Sequence, residues 1–123
     1  MRLIGCAAIL LLLAASRAPL WVIDGDTIDV RGERVRIANL DAPDVGTHAK
    51  CALEEQRGQR AKAYAIRIIR SAHSVAVADR QGHDRYGRSL ARVIVDGEDF
   101  AGLMIRKGVA RPWGGRSSDW CSR

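Results

Sequence analysis

The sequence predicts one α+β domain, mainly β, with strands first, then a longer helix, two more strands and a short helix. Three observations predict it. A chain of 123 residues has room for a single modest core. Four β-rich apolar segments, bounded by turn residues, read as strands: Val22 to Val30, Arg34 to Leu40, Val75 to Ala78 and Leu90 to Val95. Between the second and third, the apolar spacing changes to three or four residues, the period of a helix resting on a core.

Each element follows in order. Val22 to Val30 reads as strand interrupted by the turn Asp24-Gly25-Asp26, and Arg34 to Leu40 reads as its neighbour. A Gly-first turn at Gly32-Glu33 would set Arg31 opposite Arg34, pairing Val30 with Val35 and Ile28 with Ile37 on one apolar face. That register brings Asp26 near Asn39 and Asp24 near Asp41, so two acidic turns meet at the open end of one hairpin. The helix runs from Ala52 to about Ile69, with Leu53, Ala61, Ala65, Ile68 and Ile69 inward and Gly58 weakening it slightly. A polar loop, Arg80 to Arg88, separates the last two strands, and Asp96-Gly97 turns the chain again. Phe100 to Lys107 is a short helix with Phe100, Leu103 and Met104 inward and Gly108 as C-cap. There are no internal repeats and no low-complexity segments.

A formal charge of +6 and a pI near 9.9 favour polyanions as partners. Met1-Arg2 and the apolar run Leu3 to Ala15 form a short basic head and hydrophobic stretch, so residues 1–18 read as a signal peptide or N-terminal anchor and residues 19–123 as the domain. Ser16-Arg17-Ala18 and Ala14-Ala15-Ser16 are alternative cleavage sites; export would place the protein in the periplasm or medium, and an uncut signal would leave it membrane-anchored. Cys6 falls inside that segment, which leaves Cys51 and Cys121 either as a disulfide, expected after export, or as two separate thiols. His48, His73 and His83 have no zinc-ligand spacing with either cysteine.

Three clusters carry chemistry: Asp24-Gly25-Asp26-Thr27; Arg36 followed by Asp41-Ala42-Pro43-Asp44; and Asp84-Arg85-Tyr86-Gly87-Arg88. Carboxylates that hold a hard cation, and guanidinium forks over phosphate oxygens, both offset the charge that builds when a phosphate ester is attacked. In order and spacing the set resembles the staphylococcal (micrococcal) nuclease family, from about Trp21 to Trp113. The resemblance implies a five-stranded Greek-key barrel of the oligonucleotide/oligosaccharide-binding type. It also implies calcium-dependent, weakly sequence-specific hydrolysis of DNA and RNA to 3′-phosphate products, by a monomer with no obligate protein partner. By that resemblance Asp26, Asp41 and the Ala42 carbonyl would hold Ca²⁺, Arg36 and Arg88 would grip the phosphate, and Asp44 would be the general base.

Two positions depart from the family pattern. Ala42 replaces a threonine, a tolerable change if only its carbonyl is used. Asp44 replaces a glutamate, shortening the base by one methylene; displacements near 1 Å can cost about 100-fold in rate. An intervening water or an advanced loop from Val45 to Ala49 could compensate. If neither does, the domain would bind nucleic acid and barely cut it. Trp113 could stack on a base or pack in the core, and Tyr86 could either touch the substrate or simply form the turn that delivers Arg88. Arg34, Arg85 and Arg92 read as ordinary surface or ion-pair residues. A Cys51–Cys121 bridge would fix the tail where longer members carry a last helix.

Overall fold

The computed structural model describes residues 19–123. The expected signal or anchor, with Cys6, lies outside the described residues. Strands β1 (Leu20–Asp24), β2 (Thr27–Val30) and β3 (Glu33–Ile37) form an antiparallel meander. Beyond helix α1 (Ala52–Ser71), strands β5 (Val75–Ala78), β6 (Ser89–Val95) and β7 (Glu98–Asp99) form a second one, leading into α2 (Phe100–Lys107). A parallel pairing of β3 with β6 joins the two, giving the order β1-β2-β3-β6-β5 with β7 on β6. A separate short pair, β4 (Leu40–Asp41) with β8 (Arg111–Pro112), sits beside it.

The architecture is the expected mixed α+β domain with two helices on a sheet-rich core. Among the described residues no ladder joins β5 back to β1, so hydrogen bonding does not close the sheet into a barrel. A single link, Arg31 Nη1 donating to the Val75 carbonyl at 2.9 Å, ties the β2–β3 turn to β5.

The hairpin register corrects the expected one. Val30 faces Glu33 and Ile28 faces Val35, two residues out of step with the sequence reading. The turn is Arg31-Gly32, with φ of 51° and 88°, rather than Gly32-Glu33. A two-residue turn with positive φ at both centres matches the strands' twist, and Gly32 occupies one of them without strain. Because the slip is two residues, no side chain changes face: Ile28, Val30, Val35 and Ile37 are all buried. The predicted strand from Arg34 to Leu40 also divides, because Ala38 and Asn39 turn away after the Ala38 N–H bonds the Ala91 carbonyl at 2.8 Å.

Helix α1 extends two residues past the expected end and buries Glu54, Gly58, Ala61, Ala65 and Ile69. Leu53 and Ile68 are only half-buried, so the inward stripe is rotated relative to the sequence reading. Small residues on that stripe let the helix lie close to β1. Helix α2 has the expected bounds: the Asp99 carboxylate caps the Ala101 N–H at 3.0 Å and Gly108, at φ 79°, ends it.

Cys51 and Cys121 are joined in a disulfide, with Cα atoms 6.0 Å apart, across a separation of 70 residues. Cys51 is also the α1 N-cap, its sulfur accepting the Glu54 N–H at 3.3 Å. Arg57 Nη1 holds the same tail by donating to the Trp120 and Ser122 carbonyls at 2.7 and 2.9 Å, and the Arg111 guanidinium lies 4.3 Å from the Trp120 ring centroid. Replacing both cysteines by serine is expected to lower unfolding free energy by about 2–4 kcal/mol, read from urea melts, with the smaller value if Arg57 keeps the tail in place.

Candidate active site

Gly25 brings the first two acidic motifs together. A Cβ there would stand 2.7 Å from the Ala42 Cβ and 3.0 Å from that of Ala61, so the absence of a side chain lets the Asp24–Asp26 turn nest between the Asp41–Asp44 loop and α1. The Asp26 carboxylate then accepts the Ala42 N–H at 2.9 Å, and its main-chain carbonyl accepts the Ile37 N–H at 2.9 Å. The motifs do converge, through contacts other than the pairing of Asp26 with Asn39 and Asp24 with Asp41 expected from the sequence register. Asp26 and Asp41 are buried, 5% and 3% exposed. Burial, with the neighbouring Asp24 carboxylate, pushes the Asp26 pKa up to about 8, although Arg36 Nη2 at 3.5 Å opposes the shift. Asp41 accepts the Ser118 N–H at 2.6 Å, so the disulfide-held tail reaches the same carboxylate pair.

Arg36 points into this cluster. Its Nη1 donates to the Leu40 carbonyl at 2.8 Å and to that of Ile37, bracing the loop that carries Asp41. Trp113, 40% exposed, faces it with the ring centroid 5.5 Å from the guanidinium carbon; core packing is thus not the place of this tryptophan. Arg88 stands at the entry of β6, whose Leu90 is the parallel partner of Arg36. Asp84 holds it there, accepting the Arg88 Nε–H at 2.6 Å and the main-chain N–H groups of Tyr86 and Arg88 at 2.9 and 3.0 Å. Burial would raise the Asp84 pKa, but the Arg88 guanidinium and these N–H donors hold it below the usual carboxylate range. Tyr86 is exposed, with the guanidinium carbons of Arg85 and Arg88 at 4.8 and 5.3 Å from its ring centroid. Arg34 and Arg92 are paired with Asp29 and with Asp79 and Asp99, the surface roles expected for them.

Asp44 is half-buried, and its pKa is raised by burial and by the nearby Glu54 and Asp24 carboxylates. Two residues hold it: Glu54, which has no role in the sequence reading, and Gly58, which reads there only as a weak point of the helix. Glu54, 2% exposed, accepts the Asp44 N–H at 3.1 Å and the Lys50 N–H at 2.9 Å, closing the loop between them. Gly58 lies under the Asp44 carbonyl, where a Cβ would come within 2.1 Å of the oxygen. The signal available for Glu54 was its place three residues after the α1 N-cap, where an acid reaches back to free N–H groups.

The domain is mixed α+β, with two buried acids and Arg36 gathered together and a second arginine, Arg88, lying over an exposed aromatic ring. Residues 34–118 match the family model described as Staphylococcal nuclease homologue, and the chain belongs to that family. It is 35% identical over 94 residues to the succinoglycan biosynthesis protein ExoI of Rhizobium meliloti (strain 1021), covering 72% of this chain and 48% of that protein. It is 33% identical to the Thermonuclease of Staphylococcus intermedius, with 73% and 55% covered. A match to Protein ParB of Escherichia coli is 33% identical, with 75% and 52% covered. The chain thus spans about half the length of the curated relatives it matches.

Proposed function

We propose that the domain is an exported nuclease that hydrolyses phosphodiester bonds of DNA and RNA with calcium, leaving 3′-phosphate ends. The observation that carries this reading is the convergence of Asp26, the Asp41–Ala42 loop and Arg36 at one end of the sheet. Family membership supports the reading, and the paired cysteines fit an oxidising compartment, as export through residues 1–18 would require. The twisted sheet is taken as the family's five-stranded Greek-key barrel, and the enzyme as a monomer acting without a protein partner.

The donor set fits a hard cation. Asp26, Asp41 and the Ala42 carbonyl offer only oxygen, and Asp26 is an acid whose ionised form is costly in its present surroundings, a cost that a divalent ion would relieve. No group of three or more His, Cys, Asp or Glu side chains is gathered for a metal among the described residues, so water would complete the coordination. Bound there, the ion would supply positive charge beside the phosphoryl oxygens. Asp44, whose carboxyl is held above the ordinary carboxylate range by burial and by the Glu54 and Asp24 carboxylates, takes a proton from the attacking water as the water oxygen bonds to phosphorus and the 5′-oxygen departs with a proton from solvent. Arg88, fixed by Asp84, offers its free Nη groups to the phosphate as charge develops on it. Arg36 braces the acids and faces the phosphate from the other side, between Leu40 and Trp113.

A second reading, a domain that binds nucleic acid without cutting it, draws on one observation: Asp41 is already engaged by Ser118 and Arg36 by two main-chain carbonyls. The two readings part on release of acid-soluble nucleotides from denatured DNA, in calcium and in chelator. The nuclease requires calcium-dependent release that falls at least 100-fold in Arg88→Ala and in Asp44→Asn. Retention of DNA with no release from the wild type would leave the binding module.

A further inference from the structure

We infer that a second nucleic-acid-binding site, a basic groove between α1 and the segment from Lys107 to Arg111, holds the single strand beyond the phosphate being attacked. The inference rests on the nucleic-acid reading above and extends it to a part of the surface that carries none of the site residues.

Two adjoining depressions of about 200 Å³ each share Arg60 and Val109. The first continues to Arg111, the second to Arg67 and Lys107. Neither is lined by an aspartate or glutamate. Arginines 34, 36, 80, 88, 92 and 106 each meet a carboxylate within 4.0 Å, whereas Arg60, Arg67, Lys107 and Arg111, like several other basic residues, meet none among the described residues. These four are set apart by lining one continuous, acid-free groove. All four side chains belong to exposed residues, and the floor of the second depression is apolar, with Val109 buried and Tyr64 half-buried beneath the Lys107 ammonium, 5.3 Å from its ring centroid. Unpaired cations over an apolar, aromatic floor are what a flexible strand takes: phosphates against the cations, bases against the rings.

Charge complementarity decides for a nucleic-acid strand, and continuity decides for the same strand that enters the acid–arginine site. Arg111 ends the groove, and its register partner in the β4–β8 pair is Asp41. Along α1, Arg60 and Arg67 lie two helical turns apart, about 10 Å, so contacting both takes a strand of several nucleotides rather than a dinucleotide.

The test is fluorescence anisotropy with labelled oligothymidylates of about 30 and about 2 nucleotides, in chelator so that nothing is cut, comparing the full chain with Arg60→Glu/Arg67→Glu and the milder Arg60→Ala/Arg67→Ala. Both positions are exposed on the helix surface, and circular dichroism checks that each variant is folded. The expected result is a loss of roughly tenfold or more in affinity for the long strand in the alanine variant, a larger loss in the glutamate variant, and a salt slope smaller by about 1.4 for two lost phosphate contacts. The short strand should lose less than about twofold. Unchanged affinity and slope for the long strand, an equal loss for both lengths, or binding of anionic vesicles but not of oligothymidylate would overturn the inference. Failure of the nuclease reading shows separately: a wild type that cuts nothing yet loses long-strand binding through Arg60 and Arg67 keeps the groove, while one that cuts with an unaltered salt slope in the double variants keeps the nuclease and discards the groove.

Discussion

Gly58→Ala is expected to destabilise the protein by about 2–4 kcal/mol and to lower hydrolysis at least 100-fold, although alanine is the better helix former by about 1 kcal/mol. The reason is one contact. The new Cβ would stand 2.1 Å from the Asp44 carbonyl oxygen and 2.7 Å from its carbon, a main-chain obstacle that no rotamer change removes. Either α1 moves out from the core, losing contact at Ala61 and Ala65, or the Pro43–Val45 loop lifts and carries Asp44, the proposed base, out of place. Thermal melts and initial rates separate the two routes: a large drop in Tm with modest kinetic loss marks helix displacement, and the reverse marks loop displacement. Wild-type stability together with wild-type rate would show that Gly58 does not set the position of Asp44.

Asp26→Asn should do the opposite to stability and the same to activity. The Asp26 pKa is about 8 in the folded chain and near 3.8 when unfolded, so the folded state holds this proton more tightly. Stability attached to the group is therefore complete below about pH 4, falls as pH rises, and is lost above about pH 8. At pH 7 the asparagine, which never ionises and can still accept the Ala42 N–H, should add about 2–4 kcal/mol to metal-free stability, less whatever Arg36 loses with its partner. Urea melts at pH 4 and pH 7 supply the check: the gain must be near zero at the lower pH and large at the higher. Nuclease activity should vanish at both. A variant that is less stable than wild type at pH 7 would mean that the Arg36 pair outweighs burial.

Much of this arrangement can be read from the residues, and the misses have particular causes. The bounds of α2 follow from Asp99 and Gly108, whose capping roles need nothing beyond their neighbours. The faces of β2 and β3 follow from the alternation of Ile28, Val30, Val35 and Ile37, but their register does not, because it depends on Arg31 adopting positive φ, which arginine rarely does. Gly58 reads as a flaw in a helix until the chain that crosses it is known, since a glycine carries no mark of what lies against it. Asp84 was visible in its motif, yet its work of gathering three donors around Arg88 depends on a loop conformation that composition does not encode. The buried carboxylates were legible as a pair because two acidic turns seldom occur at this spacing; the Ser118 contact to Asp41 joins residues 77 apart and left no local trace.

The parallel pairing of β3 with β6 has a consequence for how the chain acquires its activity. The first meander closes through short antiparallel turns and the second through the residue 79–88 loop and a short turn, all local, whereas Val35 and Ser89 are brought together only after α1 and its flanking loops have been spanned. Arg36 belongs to the first meander and Arg88 to the entry of the second. A nascent chain with either half formed alone would carry only one of the two arginines proposed to grip the phosphate. Under the proposed function, hydrolytic competence would wait on this long-range pairing, and a half-made polypeptide would be harmless to its cell's own nucleic acids.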